Sequence, residues 1–360
     1  TNICTPSTNA TITNNSYTVE LEEKTKEVVT ALGNLTVNES TTEVICTTLN
    51  GTSKIICSNP NKINTPDFSK IAQASCEGIE NCEETNGIYE AEDDYGTSYY
   101  YRGSVDNNWV YFADFYWRII RINGDGSIRM IYAGTDSNVT TGTGTQISLD
   151  GSTATYQFNS NYNASYYSGL KYSASQHGTT TDSDIMKTLN TWYDINLIGY
   201  ASYLTSGTGF CNDREMASGY TWSATPSSNI FYEAYVRIYN TRTPTLDCTN
   251  NSDNFTTNGT EIGNGALSNP IGLITADEVA MAGGKNTTNY GYYLYTGQHY
   301  WTMSPSWYFS GHAHIFAVNS DGYLSDNSVI NTYGVRPIIN LDTDVILTGS
   351  GTASNPYIVS

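Results

Sequence analysis

The chain has 360 residues, with 16 Lys and Arg against 35 Asp and Glu, a net charge of −19 and only 14% charged residues. That balance excludes a nucleic-acid partner, which needs a basic footprint, and adsorption to anionic lipid. Aromatics at 12% exclude wholesale disorder. No apolar run reaches the roughly 20 residues of a membrane helix, so no direct membrane insertion is expected. With 30 Tyr beside 9 Phe and few cations, the composition is that of a polar, β-rich, exported protein, extracellular or at the cell surface. Thr1 reads as a start left after removal of a leader or anchor.

Residues 1–86 form one compositional block, read as a small stalk or adaptor module containing disulfides. Tyr17–Leu21 alternates as a strand does, and Glu22–Leu32 has helical composition with Gly33 as its stop. Cys46 and Cys57 flank an Asn50-Gly51 turn between short apolar runs, a hairpin that places them within disulfide reach. Cys76 and Cys82 close a short loop, Cys211 and Cys248 remain as a third pair, and Cys4 is odd. The alternative is seven buried thiols. No CxxC pair or Cys/His cluster has zinc spacing.

At Gly87 the character changes, and residues 87–360 read as one β-rich α+β domain with long irregular insertions. Trp109–Ile122 alternates aromatic or β-branched with polar residues, Asn123-Gly124-Asp125-Gly126 turns the chain, and Ser127–Tyr132 returns as a second strand. Residues 134–181 are rich in Thr, Ser, Gly, Asn and Tyr and read as irregular surface. Ser183–Tyr193 is a helix, with apolar residues at 185, 186, 189, 192 and 193 and a Ser or Asp N-cap. A second helix lies in Ile274–Gly284, where Thr275 and Glu278 form a capping box and Gly283 is the stop. Glu90, Glu92, Asp93 and Asp94 are a candidate for calcium, weighed against a solvated acidic loop; Asn123–Gly126 resembles part of a calcium loop but lacks the alternate Asp and the downstream Glu, and no other cofactor or metal is expected. Trp109, Trp117, Trp192 and Trp222 read as core.

Four blocks recur in order: Trp117–Arg129, Phe210-Cys-Asn-Asp-Arg214, Tyr300-Trp-Thr-Met-Ser-Pro-Ser306 and Tyr333-Gly-Val-Arg-Pro-Ile-Ile-Asn-Leu341. Together they resemble exported or pilin-like proteins whose C-terminal domain is related to the C-type lectin and formylglycine-generating-enzyme folds. The last block also resembles the variable region of a diversity-generating retroelement target protein. That resemblance implies a variable region over 302–337, diversified at Asn codons. His299–Ser360 holds no Lys, Glu or Gln, as such diversification requires. It further implies a partner-binding face made of Tyr308, Phe309, Ser310, His312, His314, Phe316, Asn319, Asp321, Tyr323, Ser325, Asp326, Asn327 and Asn331. Within that set Tyr308, Ser310, His312, His314, Asp321, Tyr323, Ser325 and Asp326 are expected on one contiguous exposed surface. Trp301, Trp307, Val318, Leu324, Val335, Ile338 and Ile339 are expected as frame.

An enzyme is not expected. Formylglycine-generating enzymes need a redox-active Cys pair near the C-terminus, and the last cysteine here is Cys248. His312 or His314 could meet Asp321 or Asp326, yet no Ser stands in a nucleophile elbow. The pair His312/His314 lacks a third metal ligand. The favoured reading is recognition of a protein or cell-surface ligand. The alternatives are a structural subunit of a surface filament and a carbohydrate-binding adhesin.

Overall fold

The computed structural model describes residues 86–359, with the backbone of four strands nearer the N-terminus. The chain divides into two compact units, Thr1–Thr65 and Pro66–Ser360. In the first, Ala10–Thr13 pairs antiparallel with Ser16–Val19, and Ile45–Thr48 with Ile55–Ser58. The second hairpin sets Cys46 directly opposite Cys57, the register expected from its Asn-Gly turn. The bonds Cys46–Cys57 and Cys76–Cys82, the Cys4 thiol and the expected helix at 22–32 lie outside the described residues.

The second unit is β-rich with few helices, a mostly-β α+β arrangement. Among its described residues the larger sheet has eight strands: β1 (Gly87–Asp93), β2 (Gly96–Arg102), β3 (Trp109–Phe112), β4 (Phe115–Ile122), β5 (Ile128–Gly134), β12 (Ile338–Leu341), β13 (Leu347–Thr348) and β14 (Tyr357–Val359). The smaller has six: β6 (Thr155–Gln157), β7 (Ile230–Phe231), β8 (Tyr300–Phe309), β9 (His312–Val318), β10 (Leu324–Ser328) and β11 (Thr332–Gly334).

The expected hairpin is β4–β5, with Asn123–Gly126 between the strands. One difference is that Trp109–Ile122 is not a single strand. Ala113 (φ 53°) and Asp114 (φ 63°) are both left-handed, and they fold β3 back on β4 with Phe112 opposite Phe115. A two-residue turn with both central residues at positive φ matches the twist of a hairpin. Neither residue advertises this, since no glycine is present. β12 pairs antiparallel with β5, Ile338 opposite Ile131, so the segment around 338–341 shares a sheet with the 117–132 hairpin as expected; β11 belongs to the other sheet.

Both expected helices form. In α1 (Asp184–Asn196) Ser183 caps the N-terminus by accepting from Met186 N–H, and Ile185, Met186, Leu189, Trp192 and Tyr193 are buried. In α2 (Ala276–Met281) Thr275 and Glu278 make the capping box, and Gly283 follows at φ 118°. The stretch 134–181 is less superficial than its composition suggests: Ile147, Phe158 and Leu170 are fully buried. Trp109, Trp117 and Trp192 are core, whereas Trp222 is half-buried.

Buried ion pairs run through the second unit, with Arg121 paired to Asp93 and Glu278. Arg129 joins the same Glu278, Arg237 bridges Asp213 and Asp277, and Arg214 holds Asp253. Burial opposes ionisation of Glu278, but Arg129 and Arg121 outweigh it and hold the carboxyl below its ordinary range. Asp93 therefore faces Arg121 rather than a shared centre with its acidic neighbours. Asp94 accepts from Cys248 N–H and Glu92 from the Thr97 hydroxyl. Among the described residues no group of three His, Cys, Asp or Glu converges on a metal position.

Candidate functional site

The hairpin β8–β9 and its neighbour β10 carry most of the expected binding residues. β9 pairs with β10 so that His314 lies opposite Ser328, Phe316 opposite Asp326 and Ala317 opposite Ser325. Successive residues of a strand point to opposite faces. Asp326 therefore shares a face with Phe316 and His314, and Ser325 and Asn327 share the other with Ala317 and Ile315. One contiguous surface containing both Ser325 and Asp326 is not formed.

The first face is aromatic with a carboxylate at its centre. Trp307 stacks on Phe309 at 4.2 Å between centroids and lies 5.3 Å from Tyr235 and 5.2 Å from Phe231. Its indole N–H donates to Asp326 Oδ2 at 2.7 Å, and the Tyr239 hydroxyl donates to Oδ1 at 3.1 Å. His314 Nδ1 lies 3.3 Å from Oδ2. Burial pushes the Asp326 carboxyl up, but His314, Tyr239 and Trp307 outweigh it and hold it below the ordinary range. The Tyr239 hydroxyl is driven far up by burial and by the adjacent Asp326 charge. His312 lies against Tyr162, centroids 4.4 Å apart and rings tilted by 31°, and meets Ser328 Oγ at 3.1 Å. Phe309 and Tyr162 are each 38% exposed, so this face is open at the hairpin end.

Its other end is covered. Glu233–Tyr235 runs into the π-helical turn Val236–Thr241, and Tyr239 lies 5.3 Å from Phe316. Phe316 is consequently fully buried, against expectation. Tyr308 is the second correction: it points away from Trp307, is 7% exposed and donates its hydroxyl to the Asn163 carbonyl. Neither is exposed as expected, and for the same reason: the sheet face each occupies is packed under another segment. Trp301, Val318, Leu324, Val335, Ile338 and Ile339 are fully buried as frame, and Trp307 is half-buried.

The second face is polar. Ser325 Oγ donates to Asn319 Oδ1 at 3.1 Å and receives Asn327 Nδ2 at 3.0 Å. Tyr333 donates to Asn327 Oδ1 at 2.7 Å and accepts from Asn331 Nδ2 at 3.3 Å. His299 stacks on Tyr333 at 4.8 Å and closes the row against Asn319. Ser310 sits in neither face: with Gly311 it makes the β8–β9 turn at φ 51° and 85°. Asp321 accepts from Thr288 Oγ1 and Tyr323 N–H in the β9–β10 loop, where a Cβ on Gly322 would lie 1.8 Å from the Asn289 carbonyl oxygen. Tyr323 bridges to Lys285.

Sequence reasoning missed Phe231, Tyr235 and Tyr239. The signal was present, since Tyr235 and Tyr239 stand four apart and so share one side of a helical turn.

Cys211 and Cys248 are disulfide-bonded. The surrounding block is structural: Asn212 accepts from Leu170 N–H and donates to the Met303 carbonyl, and Arg214 is fully buried on Asp253. A family model described as a domain of unknown function, DUF6273, matches residues 248–343. That span holds α2, β8–β11 and the strands that carry both faces, but not Tyr162, Phe231, Tyr235 or Tyr239, which complete the aromatic one. Neither a curated protein nor a solved structure matches the chain.

Proposed function

We propose that the chain is an extracellular binding protein in which a C-type-lectin-like scaffold presents the Trp307–Phe309 aromatic patch, with His312, His314 and Asp326, to a protein or cell-surface partner. The observation that carries this is the open aromatic patch around a fixed carboxylate. Rigid aromatics supply contact area at low entropic cost, and His, Ser and Asp side chains supply adaptable hydrogen bonds. The disulfide supports a location in an oxidising compartment. Retroelement diversification over 302–337 belongs to the same proposal in narrower form: it operates on open positions such as Phe309, His312 and His314, because varying buried Tyr308 or Phe316 would damage packing.

The test is to probe the full chain against an arrayed panel of extracellular and cell-surface proteins. A saturable partner is expected, with affinity falling at least about tenfold in the double variant Phe309→Ala/His314→Ala while the fold is kept. A partner bound equally by that variant, or none across the panel, overturns the reading. The diversification arm is checked separately in the neighbouring DNA. A near-identical repeat of codons 302–337, differing at adenines and beside a reverse transcriptase, is expected.

A further inference from the structure

The interior of the domain repeats one arrangement, an arginine laid over an aromatic ring and paired with a carboxylate. Arg214 lies 5.7 Å from the Phe255 centroid and binds Asp253, and Arg129 lies 5.0 Å from the Phe210 centroid and joins Glu278. Arg118 over Trp109 at 4.3 Å and Arg336 over Tyr300 at 5.1 Å repeat the ring half of it. At the surface patch the ring and the carboxylate recur as Phe309 and Asp326, both against Trp307. Residues 286–335 contain no Lys or Arg to complete the set. We propose, resting on the partner-binding reading of this patch, that its occupant is an arginine side chain of a protein partner, laid on the outer face of Phe309 with its guanidinium directed at Asp326.

Three observations carry the assignment. The first is where the charges lie. Residues 86–359 hold 11 Lys and Arg against 24 Asp and Glu. Six of the cations, Arg102, Arg118, Arg121, Arg129, Arg214 and Arg336, are buried, and Arg237 is enclosed between Asp213 and Asp277. Of the acids only Asp93, Asp213, Asp253, Asp277 and Glu278 are buried. Cations are therefore spent inside while acids face outward, and such a surface attracts and steers a basic partner.

The second is the carboxylate. The Asp326 side chain keeps 19% exposure. Trp307 and Tyr239 donate one hydrogen bond to each of its oxygens, and a carboxylate accepts about four, which leaves room for guanidinium N–H groups. The groups that hold this carboxyl down are His314, Tyr239 and Trp307, none of them a Lys or Arg.

The third is the open rings. Phe309 has Trp307 on one side and is 38% exposed. Tyr162, beside His312, is 38% exposed, and Tyr220, 5.0 Å from Phe231, is 41% exposed. A cation within about 6 Å of such a ring is attracted to its face. A guanidinium stacks on the ring and pairs with the carboxylate at once, whereas an ammonium is a strongly hydrated point charge. That difference selects arginine over lysine.

The experiment selects a displayed library of random dodecapeptides against the full chain at low salt, then measures the recovered peptides by fluorescence anisotropy. Peptides in which arginine recurs are expected. Replacing that arginine by citrulline, its uncharged isostere, is expected to weaken binding at least about tenfold, with lysine between the two. Phe309→Ala and Asp326→Asn are each expected to weaken the arginine peptide by a similar factor, and added salt to weaken it further. Phe309 is an exposed position, so its variant decides the matter even where Asp326→Asn loses the fold. Recovered peptides without arginine whose binding still falls in Phe309→Ala overturn the arginine assignment and leave the patch standing as a binding site. Arginine peptides indifferent to both variants overturn the patch reading with it. Equal binding of the citrulline peptide, or no recovered peptide, also overturns the proposal.

Discussion

Asp94 and Asp326 show how two carboxylates of one chain respond oppositely to pH. Burial raises the Asp94 carboxyl to about 6, only partly offset by the bond from Cys248 N–H. A raised folded value means that stability is greatest below the unfolded value of about 3.9 and is lost as pH rises through the folded one. Asp94→Asn is therefore expected to raise the melting temperature at pH 8, and the gain should vanish near pH 4. Asp326 runs the other way, because its depressed value makes its contribution present at neutral pH and lost on acidification through the folded value. Asp326→Asn is expected to cost about 1–3 kcal/mol at pH 7, with the difference from wild type narrowing under acid in thermal melts. The chemistry of this site was legible residue by residue, since His314 and Asp326 meet Trp307 and His312 lies opposite Phe309. Its boundary was not. A list of exposed-type residues does not reveal which strand face a helical turn will cover, so Tyr308 and Phe316 read as surface and are core.

At the scale of elements, the signals with local causes were readable. The capping box of α2 follows from Thr275 and Glu278 alone, and the α1 stripe from its apolar spacing. Thr275→Ala removes the acceptor for Glu278 N–H at 3.0 Å and is expected to cost about 1 kcal/mol in denaturant unfolding. What escaped were features set by distant partners. The Ala113-Asp114 turn carries no glycine and is recognisable only because Phe112 and Phe115 pair. The 134–181 stretch looks like surface until β11 pairs with Thr155–Gln157 and Phe158 packs at 5.9 Å from Trp301. The recurring sequence blocks mark framework more than site: Arg214 and Arg336 are both buried, the latter donating to the Tyr132 and Leu294 carbonyls.

Across the whole domain, the Cys211–Cys248 bond closes a loop of sequence separation 37. Chain-entropy reasoning puts its contribution at about 2–4 kcal/mol, so Cys211→Ser/Cys248→Ser is expected to lower the unfolding free energy by that margin in denaturant titration; an unchanged free energy would show that packing alone holds this region. The larger sheet has a further property. Its central β5 is flanked by β12, and β3 is flanked in parallel by β14, so residues from the last tenth of the chain lie against strands laid down near position 110–134. Pairings that span so much chain are slow to find. A nascent chain therefore displays the unpaired edge of β5 until residue 341 and that of β3 until residue 359 has been made, and the sheet closes late. Ending the chain at residue 337 should yield not a slightly weakened domain but an aggregating one, because both edges then stay open. Time, measured in residues still to be synthesised, is thus built into the strand order.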